Sequence, residues 1–76
     1  MKIQIFGSGC AKCHQLAQHA EAAAAELGLA FEMEKVTDMA RYAEYGVAIT
    51  PALAVDGVVK TMGKVPSVAE IKALLK

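Results

Sequence analysis

The sequence predicts an α/β fold with the element order β-α-β-α-β-β-α. Three observations carry that expectation. A β-branched and aromatic run at Lys2–Phe6 leads through glycines into a long alanine-rich helical pattern, which a second alternating run follows. Asp56-Gly57 separates two further apolar runs and is a strong two-residue hairpin signal. Ser67-Val68-Ala69-Glu70 spells a capping box ahead of a final apolar stripe.

Taken in order, Lys2–Phe6 reads as a buried strand ending at Gly7, and Gly7-Ser8-Gly9 as a loop. Ala11 to Leu27 are good helix formers, with Leu16, Ala20, Ala23 and Leu27 on one face and Gly28 as the stop signal. Leu29, Phe31 and Met33 alternate with Ala30, Glu32 and Glu34, so Leu29–Val36 reads as the second strand. A strand, helix and strand joined by so long a crossover form a parallel, right-handed pair. Thr37 is the expected N-cap of a second helix over Asp38–Tyr45, with Met39, Tyr42 and Ala43 facing inward and Gly46 closing it. Ala52–Val55 and Val58–Met62 are the hairpin strands. Val68, Ile71 and Leu74/Leu75 form the apolar face of the last helix.

The 76 residues suit a single domain over 1–76 with a small core, and a 55% hydrophobic content makes a globular fold attainable without a covalent staple. Eight Lys/Arg balance eight Asp/Glu, so no net charge advertises a nucleic-acid or anionic-membrane partner. Phe6, Phe31, Tyr42 and Tyr45 are too scattered to form a base-stacking platform. The N-terminal apolar run is too short for the hydrophobic region of a signal peptide, and no stretch reaches the roughly 20 apolar residues of a membrane span. A cytoplasmic monomer is therefore expected. In a reducing compartment, two cysteines point to catalysis or metal binding rather than to a structural disulfide.

Those two cysteines lie in Cys10-Ala11-Lys12-Cys13-His14. A C-x-x-C supports dithiol–disulfide exchange, metal binding or cofactor attachment. Exchange runs through a thiolate, and a cysteine of ordinary pKa, about 8.5, is mostly protonated at neutral pH. The predicted helix start puts Cys10 at the mouth of the helix, where unsatisfied N–H groups and the helix dipole favour the anion. Cys13 lies one turn on, close enough to pair with it. Cys10 then attacks a partner disulfide and Cys13 resolves the mixed disulfide. Lys12 and His14 can lend positive charge. A staple closing so short a loop would add little stability, which weighs against a purely structural pair.

Two thiolates also suit Cu(I) or Zn, with His14 as a conceivable third ligand, so a soft-metal or metalloid binding module is the alternative. A structural zinc site needs four ligands, and the chain has no second cysteine pair. Cys10 to His14 also matches the c-type haem pattern C-x-x-C-H, but no export signal precedes it and the β/α alternation is unlike a helical cytochrome. His19 lies too far along the helix to join Cys10 and is expected to be solvated. Pro51 permits two readings. It simply opens a strand with a trans bond to Thr50, or Thr50–Pro51 is a cis bond in a tight turn beside the dithiol that binds an extended substrate strand.

The strand ending in Gly7-Ser8-Gly9-Cys10-Ala11-Lys12-Cys13, the later Ile49-Thr50-Pro51-Ala52, the Asp56-Gly57 hairpin, Gly63 and the final helix together resemble the thioredoxin/glutaredoxin superfamily. The similarity covers essentially the whole chain and is greatest to small prokaryotic thioredoxin-like redox-active disulfide proteins. It implies a four-stranded mixed sheet in the order β2-β1-β3-β4 with helices on both faces. It implies that Cys10 is the exposed nucleophile, Cys13 the shielded resolving thiol and Pro51 a cis-proline. Thr50 becomes the residue whose backbone meets substrate, and Gly63 the glycine after the last strand. The implied activity is thiol–disulfide exchange with protein disulfides, without a cofactor, re-reduced by a dithiol or flavin-dependent reductase.

The chain departs from that pattern at several positions. There is no Trp; Gly9 precedes the first cysteine, and Ala11-Lys12 stand where thioredoxins have Gly-Pro. Gly63 is followed by Lys64-Val65-Pro66 rather than by the acidic stretch with which glutaredoxins hold glutathione. The first strand carries no acid to accept a proton from Cys13.

Overall fold

The structure is a computed structural model that describes residues 1–7 and 11–75. Its elements are β1 (Lys2–Phe6), α1 (Ala11–Glu26), β2 (Glu32–Val36), α2 (Met39–Glu44), β3 (Ala52–Val55), β4 (Val58–Met62) and α3 (Val68–Leu75). The four strands form one mixed sheet in the order β2-β1-β3-β4. β1 runs parallel to β2 and antiparallel to β3, and β3 runs antiparallel to β4. This is the thioredoxin-like α/β architecture that the sequence implied.

Alternation along the strands divides the core into two layers. Ile3, Ile5, Leu53 and Val55 pack with Leu16, Ala17, Ala20, Ala23 and Ala24 of α1 and with Ile71 and Leu75 of α3. The alanines present no bulk beyond Cβ, which lets α1 lie close to the sheet while leaving no side-chain entropy to lose. On the other face, Phe6, Val36, Ala52 and Ala54 pack with Val47, Tyr42 and Tyr45. Helices therefore cover both faces.

The second strand is shorter than the alternation suggested. Leu29 N–H donates to Ala24 O, and Gly28 N–H to Ala25 O, the paired bonds of a Schellman cap. Leu29 is thus committed to ending α1. Ladder pairing begins only at Glu32, opposite Lys2. Phe31 and Met33 still pack against the α1 layer, as their spacing indicated.

The second helix also differs. Its N-cap is Asp38 rather than Thr37: the Asp38 carboxylate accepts from Ala40 N–H at 2.9 Å. Met39 is 78% exposed and Ala43 is exposed, so neither faces inward. Six residues offer one narrow stripe, which Tyr42 occupies together with Tyr45 at the C-cap, three residues on. Their rings pack against Phe6 at centroid distances of 5.9 and 5.1 Å.

The hairpin and the last helix follow their local signals. Asp56 and Gly57 both take positive φ, 51° and 86°, as the tight type I′ turn requires. Asp56 then reaches back to the first strand, its carboxylate accepting Lys2 N–H and its own N–H donating to Lys2 O, both at 2.8 Å. The capping box closes in both directions, Ser67 N–H to Glu70 Oε1 at 3.1 Å and Glu70 N–H to Ser67 Oγ at 3.2 Å. These bonds hold the Glu70 carboxyl below its ordinary range. His19, expected to be solvated, is half-buried instead. Its Nδ1 donates to Pro66 O at 2.9 Å, which ties α1 to the approach to α3.

Candidate functional site

The antiparallel register sets Phe6 opposite Ala52. Gly7 and Pro51, the next residue beyond each, therefore lie at the same end of the sheet. The same end receives the start of α1 and the C-terminal end of β2, because β1 and β2 are parallel. Sequence segments some forty residues apart are joined here by backbone pairing alone.

Cys13 lies in the first turn of α1 and is 6% exposed. Its Sγ rests against Gly7, so that a Cβ at position 7 would overlap the sulfur. Gly7 therefore does more than end a strand. It removes a side chain where the sulfur must sit, a role that the loop signal in the sequence did not disclose. Cys10, Ser8 and Gly9, which the sequence reading assigned to the nucleophile and its loop, lie outside the described residues.

Beside Cys13 is a cavity of about 70 Å³ lined by Ile5, Gly7, Cys13, His14, Lys35 and Thr37. His14 is exposed on α1 yet borders this cavity with Cys13. Lys35 arrives from β2, where it pairs in register with Ile5 and so shares the face that α1 covers. The sequence marked Thr37 only as a helix cap and Lys35 not at all, since only the parallel register brings β2 to the cysteine. Among the described lining residues none is a carboxylate.

The Thr50–Pro51 bond is cis rather than trans. Pro51 is buried and Thr50 exposed. Gly63 N–H donates to Pro51 O at 2.8 Å, fastening the end of β4 to the Thr50–Pro51 segment. Gly63 has φ 75°, and a Cβ there would meet Ile49 Cγ2 at 2.9 Å. The three residues named from the sequence for substrate contact thus adjoin one another. Ile49, 61% exposed, lies against Gly63.

Apart from the Glu70 cap, the groups with displaced pKa values belong to the opposite face. Arg41 donates two bonds of 3.1 Å to the Glu34 carboxylate, and Gln4 Nε2 donates to Glu34 Oε1 at 2.8 Å and to Tyr45 Oη at 3.2 Å. The Arg41 bonds, then the Gln4 bond, hold the Glu34 carboxyl down at about 2. Hydrogen bonds from Gln4 and Arg41 likewise lower the Tyr45 phenol. This network pins α2 to the sheet. The buried polar residue of β1 is therefore Gln4, spent on the helix α2 side.

Comparison with known proteins agrees with this geometry. A family model described as a thioredoxin domain matches residues 1–76. A thioredoxin of Methanothermobacter thermautotrophicus is 49% identical over 75 residues, covering 99% of this chain and 97% of that protein. A thioredoxin of Methanocaldococcus jannaschii is 49% identical over 74 residues, covering 97% of this chain and 85% of that protein. With its mixed four-stranded sheet, its shielded Cys13 and its cis Thr50–Pro51 bond, the chain belongs to the thioredoxin family and, at that general level, to the thiol–disulfide oxidoreductases.

Proposed function

We propose that the chain exchanges electrons with protein disulfides through Cys10 and Cys13. The observation that carries the reading is the seat of Cys13. A shielded sulfur in the first turn of a helix, against the backbone of Gly7, suits a thiol that reacts only with a neighbour in its own chain. The C-x-x-C spacing supplies that neighbour as Cys10.

In the forward direction the Cys10 thiolate attacks one sulfur of a substrate disulfide. The substrate S–S bond breaks, one substrate thiolate leaves, and a mixed disulfide to Cys10 forms. Cys13 loses its proton to water and attacks Cys10 Sγ, which releases the second substrate thiolate. Two electrons have passed to the substrate, and Cys10 and Cys13 are joined. A dithiol or flavin-dependent reductase returns the pair to the thiol form. The exposed Thr50 backbone, beside Pro51 and Gly63, offers an edge for an extended substrate segment. Among the described residues no helix is long and apolar enough to cross a membrane, and the reaction suits the reducing cytoplasm.

The test is reduction of insulin disulfides with dithiothreitol as electron source. Cys10→Ser abolishes turnover, and Cys13→Ser accumulates a mixed disulfide with substrate. Undiminished activity in the Cys10→Ser variant would sink the mechanism.

A further inference from the structure

We propose that Lys60 is a positioning residue for substrate docking: its charge holds the end of β4 in the register that carries Gly63 to Pro51. The inference rests on the exchange reading above, in which the edge beside Thr50, Pro51 and Gly63 receives the substrate.

The hairpin of β3 and β4 holds two registers at once. Next to the turn, Val55 pairs with Val58 and Ala54 with Val59. Farther out, Leu53 pairs with Thr61 and Ala52 with Met62, one residue later on β4. Lys60 is the extra residue, a β-bulge on an edge strand. The bond from Gly63 N–H to Pro51 O continues the outer register.

A two-residue turn by itself dictates a ladder without a bulge. That ladder would set Lys60 opposite Leu53, Thr61 opposite Ala52 and Met62 opposite Pro51, with Gly63 past the end. Leu53 belongs to the apolar layer under α1 and α3, so the Lys60 ammonium would point into that core. Burying an unpaired charge there is very costly. The bulge keeps Lys60 exposed and turns Thr61 inward in its place. Thr61 is buried, and its Oγ1 has no hydrogen-bond partner among the described residues. The position opposite Ala52, where Met62 stands 43% exposed, would give that hydroxyl water. Thr61 therefore favours the unbulged ladder, and Lys60 opposes it more strongly, because an orphaned hydroxyl costs less than a buried ammonium. Lys60 makes no ion pair among the described residues. It acts by being excluded from the core, not by attraction to a carboxylate.

The test puts at position 60 a side chain that the core accepts, and follows the Gly63 amide. In Lys60→Val the unbulged ladder buries the new side chain beside Leu53 and releases the Thr61 hydroxyl to water. Gly63 N–H, no longer bonded to Pro51 O, is expected to exchange with deuterium about tenfold faster. KM for insulin should rise about threefold with little change in kcat, while reduction of a small disulfide stays as it was. Lys60→Arg and Lys60→Glu are expected to leave both readouts unchanged, since the core excludes either sign of charge. Proton contacts across the hairpin report the register directly: Leu53 faces position 61 in the unaltered protein and position 60 in Lys60→Val. Lys60 is exposed, so none of these changes removes core packing, and circular dichroism checks the fold. Unchanged Gly63 exchange in Lys60→Val overturns the proposal, as does an equal acceleration in Lys60→Glu. The amide measurement needs no substrate, so failure of the exchange reading would show separately, as absence of insulin reduction by the unaltered protein.

Discussion

The sulfur of Cys13 rests on the backbone of Gly7, with no room between them for a methyl group. One residue ends the first strand and the other begins the first helix, so this contact sets how α1 meets the sheet. It is also where the stability of the fold and the reactivity of the site depend on the same atoms.

Gly7→Ala tests that contact. The added Cβ meets Cys13 Sγ, and also Cys13 Cβ at 3.2 Å, so α1 must shift at its first turn. Overpacking of this kind costs about 1–3 kcal/mol. Urea denaturation should show a lowered midpoint with an unchanged slope, and Cys13 should react faster with an alkylating reagent.

Gly63→Ala acts at the other wall of the site. The new Cβ meets Ile49 Cγ2 at 2.9 Å, and a non-glycine residue at φ 75° adds about 1–2 kcal/mol of backbone cost. Gly63 N–H also holds Pro51 O. The expected outcome is a raised KM for a protein disulfide with a smaller change in kcat. Reaction with a small disulfide should be less affected, since it needs no docking edge.

Glu34 makes stability depend on acid. Its folded pKa, about 2, lies below the ordinary 4.5, because Arg41 and Gln4 bond the carboxylate. A depressed carboxyl contributes stability that is fully present above about 4.5 and is lost as pH falls toward 2. The unaltered protein should therefore lose more stability than Glu34→Gln between neutral pH and about pH 3. Urea midpoints for the two proteins at both pH values check this; parallel losses would count against it.

The local signals of the sequence were mostly accurate because they act over a few residues. Gly28 and Gly46 close helices through bonds to the preceding turn, Ser67 and Glu70 cap each other, and Asp56-Gly57 can hardly do anything but turn. The misreadings arose where two local tendencies competed. Leu29 had the alternation of a strand, yet its N–H was claimed by the cap of α1. Met39 and Ala43 had suitable polarity for a core, but the short α2 had one stripe, which two aromatic rings filled against Phe6.

The sequence by itself determined the order of the elements, the cysteine spacing and the resemblance that named Thr50, Pro51 and Gly63. The tertiary structure decided what surrounds them. Pairing of β1 with β3 sets Pro51 beside Gly7, and the parallel register of β1 with β2 carries Lys35 to the cavity of Cys13. Helix caps and turns are written in neighbouring residues, whereas an electrostatic environment is a sum over strands that meet only when the sheet has formed.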